Sequence, residues 1–266
     1  MASAGGNLAS ILGYAKTIPG SVYLHFLGFV VGIAALLVFF QYSILYIIPA
    51  GFTLDYIYLN MTTPNPSSMF LSNYMHNPFD QTHITSNLLT TISLLVAVFL
   101  AGTIVLPATG YRMPPKFFPV TYSVFFLLFP FAISGITVWS ARIMGISWSS
   151  GFSGISYALF GLLVFLMLGW AYTAILESPN RDTYRLAFAL LSMTFVSLIP
   201  VTAFILLDLR TKNINVYAHL GGFALGLLVP SLVAVGMTAE TKGEKVAVAA
   251  MLAVVILLPS VGWIVV

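Results

Sequence analysis

Three polar constellations stand out in a chain that is otherwise almost wholly apolar. The first is Ser153, framed by glycines in GFSGISYALFG, residues 151–161. The second is His219, heading the stretch HLGGFALG that ends at Gly226. The third is the pair His83 and Asn87 in HITSN, with His76 a few residues upstream. A serine hydroxyl becomes a nucleophile when a base takes its proton, and histidine titrates in the right range. The oxyanion formed by attack on an amide carbonyl needs preorganised donors. The Asn87 amide, the His83 ring and the backbone N–H of Ser153 are donors of that kind. The chemistry such a set permits is acyl transfer. All seven Asp and Glu residues fall in predicted loops, which points to a Ser-His dyad rather than a Ser-His-Asp triad. Position 155 is Ile, so the pattern is not a G-x-S-x-G nucleophile elbow.

Each of these residues also has a purely structural reading. A serine in an apolar helix usually bonds the carbonyl one turn back, and small residues serve close packing in any polytopic bundle. Ser156, off the face shared by Ser153 and Tyr157, belongs in that class. His25, near the start of the first apolar run, has an interfacial place. The grouping of His76, Asp80 and His83 in HNPFDQTH fits no metal-ligand spacing well. Chemistry becomes the better reading only if the elements carrying Ser153, His219 and Asn87 bring them to one depth.

Those elements are membrane-spanning helices. Of 266 residues, 59% are hydrophobic and only 6% charged, against about a quarter charged in soluble domains. The net charge is +3 and the Lys and Arg are scattered, which argues against nucleic acid as a partner. There is no cysteine, hence no disulfide or thiolate metal site. The first long apolar run exceeds the h-region of a signal peptide. A span needs about 20 apolar residues. Seven windows qualify: 23–48, 84–106, 120–141, 152–175, 185–207, 215–236 and 246–266. Residues 49–83 form a long connection rich in Pro and Asn, without Lys or Arg, expected to fold onto the membrane surface.

Lys and Arg favour cytoplasmic loops. Placing the N-terminus inside puts Lys16, Arg112, Lys116, Arg181, Arg185, Lys242 and Lys245 in the cytoplasm and leaves Arg142, Arg210 and Lys212 outside. The second, fourth and sixth helices then all run inward from the outer face, and Asn87, Ser153 and His219 each fall within its first turns. Polar residues inside spans are costly and mark functional sites by default, so their shared depth favours chemistry. Spacing adds faces. His83 and Asn87 stand at i and i+4, as do Ser153 and Tyr157. Gly154, Ala158 and Gly161 make one small-residue stripe, and Gly222 and Gly226 another. If the stripes meet, Ser153 approaches His219 and the Tyr157 ring can support the imidazole.

GFSGISYALFG on the fourth helix, AHLGGFALG on the sixth, and His76, His83 and Asn87 entering the second resemble the rhomboid intramembrane serine proteases. The resemblance covers about residues 49–236. It implies an all-α polytopic bundle: a cytoplasmic N-terminus (1–22), a six-helix catalytic core (23–236), then a linker and seventh transmembrane helix (237–266). It further implies Ser153 as nucleophile and His219 as general base. The oxyanion hole would be His83, Asn87 and the Ser153 amide, with His76, Tyr157, Gly151, Gly154, Gly222 and Gly226 supporting. The long first loop would be a flap and the 208–215 connection a cap over a water-filled cavity. Substrates would be transmembrane segments of other proteins in the lipid bilayer, cleaved near the outer face of the cell membrane with no metal or cofactor. The Trp-Arg pair of many members' first loop is absent, as is an acidic residue in the second or third helix. Two rivals stand beside this reading. A catalytically silent relative would bind transmembrane helices, and a small transporter or channel would need charged residues at the midplane, where none is seen.

Overall fold

The computed structural model describes residues 8–76, 81–177, 215–262 and 264. The predicted span 185–207 and most of the 208–215 connection lie outside them. The other six windows coincide with helices. A short helix, α1 (Leu8–Thr17), leads into α2 (Gly20–Tyr46). The long connection carries β1 (Leu59–Asn60) and α3 (Pro66–Leu71). Then come α4 (Gln81–Phe99), α5 (Phe117–Leu127), α6 (Phe129–Met144), β2 (Trp148–Ser149), α7 (Ser153–Glu177), α8 (Val216–Thr238) and α9 (Lys242–Gly262). Among the described residues five stretches are long and apolar enough to cross a membrane: Gly20–Ile44, His83–Ala108, Ser153–Trp170, Val216–Thr238 and Lys242–Gly262. The α5/α6 pair makes a sixth if counted as one span.

The predicted span 120–141 is taken up by that pair rather than by one unbroken helix. The chain bends by 42° at Leu128, between α5 and α6. The cause is Pro130. Proline has no N–H and cannot bond the carbonyl of Phe126 four residues back. In lipid an unsatisfied carbonyl costs several kcal/mol. The Tyr74 hydroxyl, from the first loop, donates to that freed oxygen. A second proline, Pro107, lies just after a π-helical turn at Leu100–Val105, which extends α4 with the Leu106 N–H bonded to the Ala101 carbonyl.

The first loop has structure of its own. Asn65 and Ser68 form a reciprocal capping box that starts α3 with Pro66 in its first turn. The side-chain amide of Asn73 donates to the carbonyls of Met69 and Pro130 and to the Ser134 hydroxyl, tying the loop to α6. The strand β1 pairs antiparallel with β2, Leu59 opposite Ser149 and Asn60 opposite Trp148. Phe52, Leu54 and Tyr56 stay about half exposed, as side chains facing lipid would.

Between lipid-facing helices apolar burial gives little drive, so close backbone approach and van der Waals packing hold the bundle. A Cβ built on Gly226 would sit 2.0 Å from the Ala158 carbonyl oxygen, and one on Gly161 2.4 Å from that of Phe223. These distances join α7 to α8. On α6, a Cβ at Gly135 would meet the Pro259 carbonyl of α9 at 1.9 Å. The C-terminal helix is therefore packed on the bundle. Phe125, Phe129, Phe152, Ile155, Leu159 and Leu162 fill the fully buried interior behind Ser153.

Candidate active site

Ser153 opens α7 and His219 lies in the first turn of α8, so both stand at the same end of a closely packed helix pair. The start of α8 is fixed by Asn215. Its side-chain oxygen accepts from the N–H groups of Tyr217 and Ala218, and its amide donates to the Ser140 hydroxyl at 2.8 Å. The α8 N-terminus is thereby both capped and tethered to α6. Gly151 precedes the serine with φ of +147°, a conformation that favours glycine, and its N–H donates to the Ser72 carbonyl at 2.9 Å.

The result is a Ser153 Oγ to His219 Nε2 distance of 2.7 Å. The Tyr157 ring, one turn beyond Ser153, stacks on the imidazole with centroids 4.4 Å apart and planes at 12°. His219 itself is 6% exposed. The N–H groups of Ser153 and Gly154, in the first turn of α7, have no intrahelical acceptor. Both residues border a cavity of about 80 Å³ that His219 and His83 also line, together with the hydroxyls of Ser72, Ser134, Thr137, Ser149 and Ser150. A polar space of that size accommodates a few waters.

Asn87 lies between two imidazoles. Its Nδ2 is 2.8 Å from His76 Nε2 and 3.2 Å from His83 Nε2. His76 Nε2 also receives the Phe152 N–H at 3.4 Å, which makes it an acceptor and the Asn87 amide its natural donor. His76 is held in turn from the backbone. Its N–H donates to Gln41 Oε1 at 3.2 Å, and the Tyr58 hydroxyl donates to its carbonyl. The chain thus uses His76 to link the first loop, α4 and the residue before Ser153.

The supporting glycines sit where helices approach closely. A Cβ at Gly222 would lie 2.1 Å from the Gly154 carbonyl oxygen, so Gly154, Gly222 and Gly226 all stand at the α7–α8 approach. A Cβ at Gly154 would itself lie 2.7 Å from Ile133 of α6 and 3.6 Å from the Ala218 carbonyl of α8, so Gly154 packs on both neighbours. Ser156 is structural: its hydroxyl meets that of Thr91 at 2.7 Å and joins α7 to α4. Among the described residues no three His, Asp or Glu are placed to hold a metal ion.

Asn215, Asn73 and Tyr74 were not among the sequence candidates. Only Asn215 carries a readable signal, an Asn immediately before an apolar run, which is an N-cap pattern. Asn73 and Tyr74 find their partners on α5 and α6, which no local pattern discloses.

The architecture and the site define a multi-pass helical membrane protein with a serine and a histidine hydrogen-bonded at one end of the bundle. A model of the rhomboid domain matches residues 74–236, more than half of the chain, and the protein belongs to the rhomboid family. Comparison with curated proteins and with solved structures returns no match.

Proposed function

We propose that this protein is an intramembrane serine endopeptidase that hydrolyses peptide bonds in or near transmembrane segments of other membrane proteins. The observation that carries the reading is the 2.7 Å Ser153–His219 hydrogen bond at the wall of a polar cavity within an apolar bundle. Rhomboid membership supports it.

In this mechanism Ser153 Oγ attacks the scissile carbonyl carbon while His219 Nε2 takes the hydroxyl proton. The carbonyl oxygen gains the negative charge and is met by the Ser153 N–H, with His83 and Asn87 as side-chain donors. Collapse of the tetrahedral intermediate breaks the C–N bond, and His219 returns its proton to the leaving amine. Water from the cavity then attacks the acyl-serine, giving up a proton to His219; the acyl C–Oγ bond breaks, His219 returns that proton to Ser153 Oγ, and the acid product leaves. Tyr157 holds the imidazole plane against α7, the role a third group takes in a triad. The Asn87 amide nitrogen stands 2.8 Å from His76 Nε2 and 3.2 Å from His83 Nε2 at rest, so stabilising an oxyanion requires it to exchange one of those contacts for the substrate oxygen.

The balance of Lys and Arg orients the chain with its N-terminus in the cytoplasm of a cell membrane and the site opening to the outer face. The first loop then flanks the entrance as a flap. The test is covalent labelling in detergent with a fluorophosphonate or isocoumarin. The wild-type chain should be modified, and Ser153→Ala and His219→Ala should not. Absence of labelling, with no cleavage of model transmembrane substrates, would overturn the enzyme reading and leave a silent helix-binding relative.

A further inference from the structure

Two cavities adjoin along α5, whose first residues lie at the end of the bundle remote from Ser153. One is an apolar groove of about 650 Å³ between α2, α4 and α5, walled by Phe26, Phe29, Ile33, Phe99, Tyr122 and Phe126. The other, about 290 Å³, is walled by Tyr14, Pro107, Arg112, Pro114 and Lys116. They share Thr103, Phe118 and Pro119 and so form one site with an apolar and a cationic part. The apolar part has the size of a small-molecule site, about 300–1,000 Å³. We propose that this composite cavity binds one anionic phospholipid, its phosphate against Arg112 and Lys116 and an acyl chain in the groove.

Charge complementarity selects the occupant. Among the described residues no carboxylate lines either cavity, and the side chains of Arg112 and Lys116 are exposed without an ion pair or hydrogen bond. Two cations held beside the mouth of an apolar groove match a lipid whose net negative phosphate is joined through glycerol to acyl chains. A neutral helix of another protein would leave both cations unanswered, and a free anion would leave the groove without a ligand. The walls are also built rather than incidental. Lys116 holds a left-handed backbone, φ +67°, rarely adopted by a side-chain-bearing residue. Gly102 and Thr103 stand in the π-helical turn Leu100–Val105, a distortion frequent at functional sites. The absence of a side chain at Gly102 admits the Phe118 ring that lines both compartments: a Cβ there would lie 2.1 Å from Phe118 Cζ.

This inference is independent of the proteolytic reading. The full chain, delipidated in detergent, is titrated by native mass spectrometry with phosphatidylglycerol, phosphatidylcholine and inorganic phosphate. Phosphatidylglycerol should bind about twenty-five-fold more tightly than phosphatidylcholine, roughly fivefold per cation. The double substitution Arg112→Gln/Lys116→Gln, at exposed positions, should erase that preference. Ser123→Trp, placing a ring in the groove from an exposed position of α5, should weaken phosphatidylglycerol binding while unfolding temperature is kept. Equal binding of the two lipids, or a preference that survives the double substitution, overturns the proposal. So does phosphate displacing phosphatidylglycerol completely with Ser123→Trp without effect, which assigns a free-anion site. Displacement by a neutral transmembrane peptide instead assigns the groove to helix docking and equally overturns it.

Discussion

The α7–α8 contact allows one perturbation to be followed from a single methyl group to the rate. In Gly222→Ala the new Cβ would start 2.1 Å from the Gly154 carbonyl oxygen, whereas ordinary contact begins at 3.4 Å. The obstacle is backbone, so no side chain can swing aside, and the two helices must part locally by about 1.3 Å. His219 lies one turn before Gly222, and Gly154 is next to Ser153. Carried through that lever, a 2.7 Å hydrogen bond opens to about 4 Å, beyond bonding range. A misplacement of about 1 Å can cost a hundredfold in rate, and overpacking of this kind costs about 1–3 kcal/mol in stability. The assay pairs fluorophosphonate labelling and cleavage of a fluorogenic transmembrane substrate with thermal unfolding. The expected outcome is a roughly hundredfold loss of both reactions in a protein that still unfolds cooperatively. Gly32→Ala is the control, since nothing lies within 4 Å of its Cβ, and it should be neutral. A wild-type rate in Gly222→Ala would refute the argument that glycine at this crossing sets the serine-histidine distance.

Three further perturbations follow from the same geometry. Asn87→Ala should cost about 2–4 kcal/mol in transition-state stabilisation, read as kcat/KM, with labelling of Ser153 reduced but not abolished. Tyr74→Phe removes the donor to the Phe126 carbonyl and strands a buried acceptor at the bend. A loss of about 1–3 kcal/mol is expected, seen as a lower unfolding temperature. Asn215→Ala removes both the α8 cap and its tether to Ser140, for about 1–2 kcal/mol, and activity should fall with it because His219 lies one turn on.

Much of this was legible in the sequence because a bilayer imposes few solutions. An apolar run of about 20 residues can scarcely be anything but a span, and a polar residue within one is expensive enough to be conspicuous. Ser153, His219 and Asn87 could therefore be picked out one by one, and the alternation of successive spans gave the second, fourth and sixth helices a common direction. Pro130 was visible, but whether a proline kinks a span or merely starts a helix depends on whether another group takes the orphaned carbonyl, and Tyr74 lies far away in the chain. The additional contact of Gly154 with Ile133 was likewise hidden: spacing identifies a stripe of small residues without saying which further neighbours each member meets. Strands of two residues, such as Leu59–Asn60 and Trp148–Ser149, leave no periodicity to read, since their pairing is decided by the approach of two distant loops.

That small ribbon has a mechanical consequence. The ladder between β1 and β2, the Met61 N–H on the Ser147 carbonyl and the Gly151 N–H on the Ser72 carbonyl splice the first loop to the segment that ends at Ser153. The two pieces of chain are therefore tied together at several points of their backbones. A loop fastened in this way cannot swing clear without pulling on the serine, so thermal motion of the loop reaches the nucleophile as strain, and stiffness in the loop reaches it as aim.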